Sequence, residues 1–118
     1  MEDGKEALHL IRVLKEAQTA LSDQDSLKLK ELSNQTIHSA SIYQDTDSIS
    51  IAIIIYSLSK IIERQYYLKI KDFKSFAKKI NSSIFSAIKA IKENKEALSI
   101  HLENIREIMS SSINVKPL

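Results

Sequence analysis

One pair of residues in the sequence has the spacing of a metal site in a helical bundle. Glu6 and His9 form a Glu-x-x-His motif, which places a carboxylate and an imidazole on one face of a helix. A di-iron bundle needs two such motifs and two further inward carboxylates, and neither His38 nor His101 has a Glu three residues before it. Glu6 and His9 also lie off the apolar side of their predicted helix. We therefore predict that both face outward and that the chain has no metal site.

A second polar group follows His38 along the chain. Tyr43, Asp45 and Asp47 come shortly after it, and a His beside carboxylates can bind a metal ion or transfer a proton. The same Asp residues are well suited to accept hydrogen bonds from the free N–H groups at the start of a helix. Because the spacing is unspecific for a metal site, we predict helix-capping residues and a surface His38.

The remaining patterns of catalytic and cofactor sites are missing from the sequence. The single Gly excludes a Gly-rich phosphate loop, and the lack of Cys excludes thiolate chemistry. Small helical RNases of the higher-eukaryote and prokaryote nucleotide-binding type place an Arg a few residues before a His, and Arg12, Arg64 and Arg106 are not followed in this way. We predict a protein that is not an enzyme, with no catalytic residues, no cofactor and no evident small-molecule substrate.

Basic residues concentrate in the middle of the chain. Residues 60–79 contain 7 basic and 2 acidic side chains, although the whole chain has a net charge of only +2. Five Lys residues of the fourth predicted helix and one aromatic residue fall on one side of the helix, where they suit contacts with phosphates and a stacked base. These residues are Lys71, Lys74, Lys78, Phe85, Lys89 and Lys92. The alternative prediction is a solvated helix face, since only 3 Arg are present and Arg is preferred for base recognition.

Several apolar residues do not fit the apolar sides of their predicted helices. Leu8 faces away from the apolar side of the first helix, and Leu27 and Ile42 lie off that of the second. The run from Ile49 to Ile62 is apolar all round, which is typical of a helix buried inside a bundle or covered by a second subunit. Both alternatives stay open at this point. The predicted interface comprises Leu8, Leu27, Ile42, Ile51, Ile54 and Ile55.

Apolar periodicity predicts an all-α, antiparallel bundle of four or five helices. The first helix covers residues 6–22, and the second runs from a capping box at Ser22–Asp25 to about Gln44. The third starts at Asp47 and runs to about Lys69, and its apolar run places it at the centre of the bundle. The apolar side of the second helix contains small residues, so we expect a neighbouring helix to approach it closely.

The last part of the chain allows two interpretations. The fourth helix starts near Asp72, and its apolar periodicity continues as far as Met109. A single helix of about 40 residues would be about 60 Å long, so we favour two helices, residues 72–94 and 95–110, that form a hairpin at Asn94. We expect the tail, residues 110–118, to be frayed.

Length and composition place these helices in one domain. The chain has 118 residues, of which 43% are hydrophobic and 27% charged, which is typical of a single globular domain, residues 1–118. Residues 1–4 contain no basic region followed by an apolar run, and the longest apolar stretch is too short to cross a bilayer. We therefore expect a cytoplasmic protein without a membrane partner.

The stretch from Lys30 to Arg64 resembles a family of uncharacterised archaeal all-helical proteins. The residues that carry the resemblance are TIHSASIYQDTDSI (36–49) and YSLSKIIER (56–64). In that family a segment similar to a helix-turn-helix follows the helical region, and this chain has no such segment. The resemblance implies a helical module for oligomerisation or sensing, separate from a nucleic-acid reader. We thus predict an interaction or oligomerisation module with a homo-oligomer or a partner helix, and a nucleic-acid-associated module as the alternative.

Overall fold

The computed structural model describes residues 2–43, 46–70 and 72–113, with residues 2, 3 and 43 described by their backbone alone. The described residues form five α-helices and no strand. The helices are α1 (Glu2–Ser22), α2 (Ser26–Tyr43), α3 (Thr46–Glu63), α4 (Phe73–Glu93) and α5 (Leu98–Ser112), with a short 3₁₀ turn (Lys95–Ala97) before α5. The predicted all-α bundle is therefore confirmed, and it has five helices.

Short connections reverse the chain between successive helices, and the five helices close into a ring. In order around the bundle they are α1, α2, α3, α5 and α4, and each packs against its two neighbours. The core fills the interior of this ring. Its largest fully buried side chains are Leu10, Leu14, Leu21, Leu29, Leu32, Ile51, Ile55, Leu58, Ile80, Ile84, Leu98 and Ile105.

The helix α3 is one member of the ring, and only one of its sides is buried. Ile55 and Leu58 are almost completely buried, whereas Ile53 is 56% exposed. The apolar run therefore has a core side and a solvent side, although the sequence pattern alone does not separate them.

The connection between α1 and α2 differs from the predicted capping box. Ser22 is the last residue of α1, and Asp25 caps α2 by accepting a hydrogen bond from the Lys28 N–H at 3.0 Å. Gln24 has a φ of 54°, and the backbone N–H of Asp25 reaches back to the Ala20 carbonyl oxygen at 2.8 Å. This is the left-handed C-terminal motif that usually contains Gly. The predicted capping box at Ser22–Asp25 is wrong, because Gln24 occupies the left-handed position where a Gly would have marked the end of α1 in the sequence.

The helix α3 ends at Glu63, six residues before the predicted end at about Lys69. Residues 64–69 form turns, and Lys69 has a φ of 53°. The Ile70 N–H donates to the Gln65 carbonyl oxygen at 3.3 Å, which repeats the motif seen at Gln24. In both places the backbone of a polar residue adopts the left-handed conformation, which Gly adopts at a lower free-energy cost.

The predicted hairpin at Asn94 is confirmed. Asp72 accepts a hydrogen bond from the Ser75 N–H at 3.0 Å at the start of α4, and Asn94 ends that helix. The helix α5 then packs back onto α4. It continues to Ser112, so residues 110–112 are helical rather than frayed, whereas residues 114–118 of the predicted tail lie outside the described residues.

Close packing of α2 on α3 follows from small residues, as the sequence predicts. This pair makes the most extensive contact between helices in the bundle. The Ser33 hydroxyl donates a hydrogen bond to the main-chain carbonyl oxygen of Ala52 at 2.8 Å, so the two backbones lie close together. The small buried residues of the two helices are Ser33, Thr36, Ala40, Ser48, Ala52 and Ser59.

Candidate interaction surfaces

Half of the predicted interface residues lie in the core. Ile51, Ile54 and Ile55 are 0%, 3% and 1% exposed, so the interface predicted from them is wrong. The ring of helices covers this side of α3 within the same chain. Leu8, Leu27 and Ile42 are exposed, as predicted. The three do not form one compact patch, because Leu27 and Ile42 are about 22 Å apart along α2.

A continuous apolar surface lies instead on the solvent side of α3. Ile49, Ile53 and Tyr56 are 46%, 56% and 45% exposed, and their spacing of four and three residues aligns them along one side of the helix. Ile37 of α2 is 51% exposed and lies one turn beyond Ser33, which contacts Ala52, so we assign it to the same surface. We call Ile37, Ile49, Ile53 and Tyr56 the outer α3 surface.

The residues of α3 in the outer α3 surface share a regular spacing along the sequence. Positions 49, 53, 56 and 60 follow the four-three-four spacing of a helix–helix seam, and the first three of them are apolar. The inward positions follow a similar spacing, so the periodicity alone does not show which of the two sides is buried.

The Lys residues of α4 lie on the surface, as predicted. Lys74, Lys78, Lys89 and Lys92 are exposed, and Phe85 between them is 64% exposed. We call these five residues the Lys face; Lys71, the sixth predicted member, lies outside the described residues. Among the described residues, no carboxylate lies within ion-pair distance of these four ammonium groups. The Lys face is about 27 Å long from Lys74 to Lys92.

The prediction that Glu6 and His9 face outward is wrong. Glu6 is 8% exposed and His9 is half-buried, and α2 contacts α1 at His9. His9 Nε2 and Ser39 Oγ of α2 are 3.0 Å apart, and the Arg12 guanidinium lies 3.2 Å from His9 Nδ1. This contact was not predictable from the residue pattern, because it depends on how α1 packs on α2.

The contact with His9 does not activate the Ser39 hydroxyl as a nucleophile. Arg12 can only donate hydrogen bonds, so Nδ1 of His9 accepts, and the ring proton of the neutral imidazole is on Nε2. Nε2 then donates to the Ser39 hydroxyl and cannot remove its proton. Burial lowers the pKa of His9 below its usual value, and the charge of Arg12 lowers it further. These effects favour the neutral imidazole that the two hydrogen bonds require.

The polar group predicted around His38 does not form a site among the described residues. His38 is exposed, and the Tyr43 side chain and Asp45 lie outside the described part of the chain. Within the described ranges, no group of three His, Asp or Glu side chains is arranged to hold a metal ion. In the same ranges, no helix is both long and apolar enough to cross a membrane.

No protein-family model, no curated protein and no solved structure matches the chain.

Proposed function

We propose that the protein is a non-enzymatic interaction module that forms a dimer through the outer α3 surface. The observation that carries the proposal is the exposure of three aligned apolar side chains, Ile49, Ile53 and Tyr56, on a helix whose other side is in the core. A partner that covered these side chains would remove their apolar area from water, which is favourable by about 25 cal/mol of free energy per Å².

A second copy of the chain is the partner that fits this surface most simply. Two-fold dimers use the same patch on both subunits, so the patch must be complementary to itself. The spacing of Ile49, Ile53 and Tyr56 along α3 allows two such helices to pack side by side. The α2–α3 pair also contains the stretch 30–64, whose resemblance implies oligomerisation or sensing.

A charge placed in the dimer interface tests the proposal. We expect Ile49→Asp to weaken the dimer at least tenfold, because the interface would bury an unpaired carboxylate, while the chain stays folded. The measurement is the monomer–dimer dissociation constant by sedimentation equilibrium, with circular dichroism as the check on folding. Ile100→Asp is the matched control, since Ile100 is 62% exposed on α5, a helix that contributes no residue to the outer α3 surface. Equal dissociation constants for the two variants would contradict the proposal.

A second candidate function is nucleic-acid association through the Lys face. It is favoured by four exposed Lys side chains that have no carboxylate partner among the described residues, and by the exposed Phe85 between them. We expect weak binding of single-stranded oligonucleotides that falls steeply as salt rises, because each phosphate contact releases counterions.

The test of the Lys face is a fluorescence-anisotropy titration at two salt concentrations. Lys78→Glu with Lys89→Glu should abolish binding, whereas Lys15→Glu, an exposed Lys on α1, should weaken it far less. Binding that does not change with salt, or that both variants reduce equally, would exclude the Lys face.

A further inference from the structure

A groove opens where α3 and α5 meet, and it is separate from the interior of the bundle. It encloses about 510 Å³ and is formed by the second half of α3, the turns that follow it and the last turns of α5. Ile61 and Met109 line it and are almost buried, and Ile53 and Leu68 complete an apolar wall. The contact between α3 and α5 is the least extensive in the ring, which leaves room for the groove.

Three cations and no carboxylate are found among the described residues that line this groove. They are Lys60 and Arg64 from the end of α3 and its following turn, and Arg106 from α5. Lys60 lies 3.5 Å from a Glu63 oxygen, and Arg106 lies 3.0 Å from a Glu103 oxygen. Arg64 has no ion-pair partner among the described residues. An apolar wall therefore lies beside a guanidinium group that has no ion-pair partner in the described part of the chain.

We propose that this groove binds a small amphipathic anion, namely a free long-chain carboxylate. The hydrocarbon chain lies against Ile61 and Met109, and the carboxylate accepts hydrogen bonds from the guanidinium of Arg64. A planar guanidinium suits this role because it can donate two parallel hydrogen bonds to one carboxylate. The volume of the groove is within the range of sites for small ligands, about 300–1,000 Å³.

This site goes beyond the proposed dimer and does not depend on it. Ile53 and Tyr56 belong to both the groove and the outer α3 surface. Arg64 and Met109 belong to the groove alone, and Ile49 belongs to the outer α3 surface alone. Variants of these residues can therefore separate the two proposals.

The direct test is isothermal titration of the full chain with decanoate below its micelle concentration. We expect one saturable site per chain. Decyltrimethylammonium, with the same chain length and a positive charge, should bind at least tenfold more weakly, and acetate should not bind in the same range. Equal binding of the two long-chain compounds would contradict a site selective for anions, and binding of acetate alone would show an adventitious anion site.

Variants locate the site in the groove. Arg64→Gln should weaken decanoate binding about tenfold, the effect of losing one hydrogen bond to a charged group. Arg12→Gln removes the same charge from α1, which does not line the groove, and should leave binding unchanged. Ser110→Trp should block the groove sterically, because Ser110 is exposed at its wall. Decanoate binding that survives both Arg64→Gln and Ser110→Trp would overturn the proposal.

The same titration distinguishes failure of the groove from failure of the dimer. Ile49→Asp should leave decanoate binding intact even where it abolishes the dimer. Arg64→Gln should leave the monomer–dimer dissociation constant unchanged. Loss of decanoate binding in Ile49→Asp but not in Arg64→Gln would mean that the ligand binds at the dimer interface instead, and would contradict the groove.

Discussion

Replacing Ile55 with Ala should reduce the free energy of unfolding by about 2–5 kcal/mol, whereas the same replacement at Ile53 should change it by less than about 1 kcal/mol. The two residues are two positions apart on α3, but Ile55 is 1% exposed and Ile53 is 56% exposed. Ile55→Ala removes buried methyl groups and leaves a cavity. Ile53→Ala removes side-chain atoms that are largely in water and introduces a residue with better helix propensity.

Urea denaturation followed by circular dichroism measures this difference. The protein concentration should be below the dimer dissociation constant, so that binding does not contribute to the apparent stability. The loss expected for Ile55→Ala is a large part of the total stability of a typical domain, about 5–15 kcal/mol. Similar losses for the two variants would contradict the division of α3 into a core side and a solvent side.

Replacing Ser33 with Leu should destabilise the protein by about 1–3 kcal/mol through overpacking, and should also lose the hydrogen bond to the Ala52 carbonyl oxygen. Ser33 is 1% exposed at the contact of α2 with α3, where there is no space for three further carbon atoms without moving one helix. Thermal unfolding of the variant gives the expected decrease in Tm.

Two variants separate the causes of this effect. Ser33→Ala removes only the hydroxyl group and should cost about 1 kcal/mol. Asn34→Leu inserts a bulky side chain at the next residue of α2, which is exposed, and should change stability by less than about 0.5 kcal/mol. A Tm for Ser33→Leu equal to that of Asn34→Leu would contradict the close approach of the two helices.

The helical architecture was predictable where each signal was local and strong. The apolar side of α4, its start near Asp72 and the break at Asn94 are all confirmed, because each depends on residues within a few positions of one another. The end of α3 and the start of α2 were not predictable in the same way. Gln24 and Lys69 adopt a left-handed conformation that the sequence normally marks with Gly, and neither position has one.

The surfaces were less predictable than the helices, because burial depends on which helix lies next to which. Glu6 and His9 are off the predicted apolar side of α1, yet Glu6 is buried and His9 contacts α2. Ile55 and Ile53 are the same residue type on one helix, and only the arrangement of α2 and α5 around α3 decides which of them is exposed. The groove beside Arg64 likewise depends on residues of α3 and α5 that are more than 40 positions apart along the chain.

The solution mass of the unmodified chain, by light scattering behind a sizing column at low and high salt, tests the proposed dimer most directly. We expect a mass of two 13.4 kDa chains at both salt concentrations, because an apolar interface is not screened by salt. A mass of one chain at both salt concentrations, at protein concentrations up to the millimolar range, would contradict the dimer and leave the outer α3 surface without a partner of its own kind.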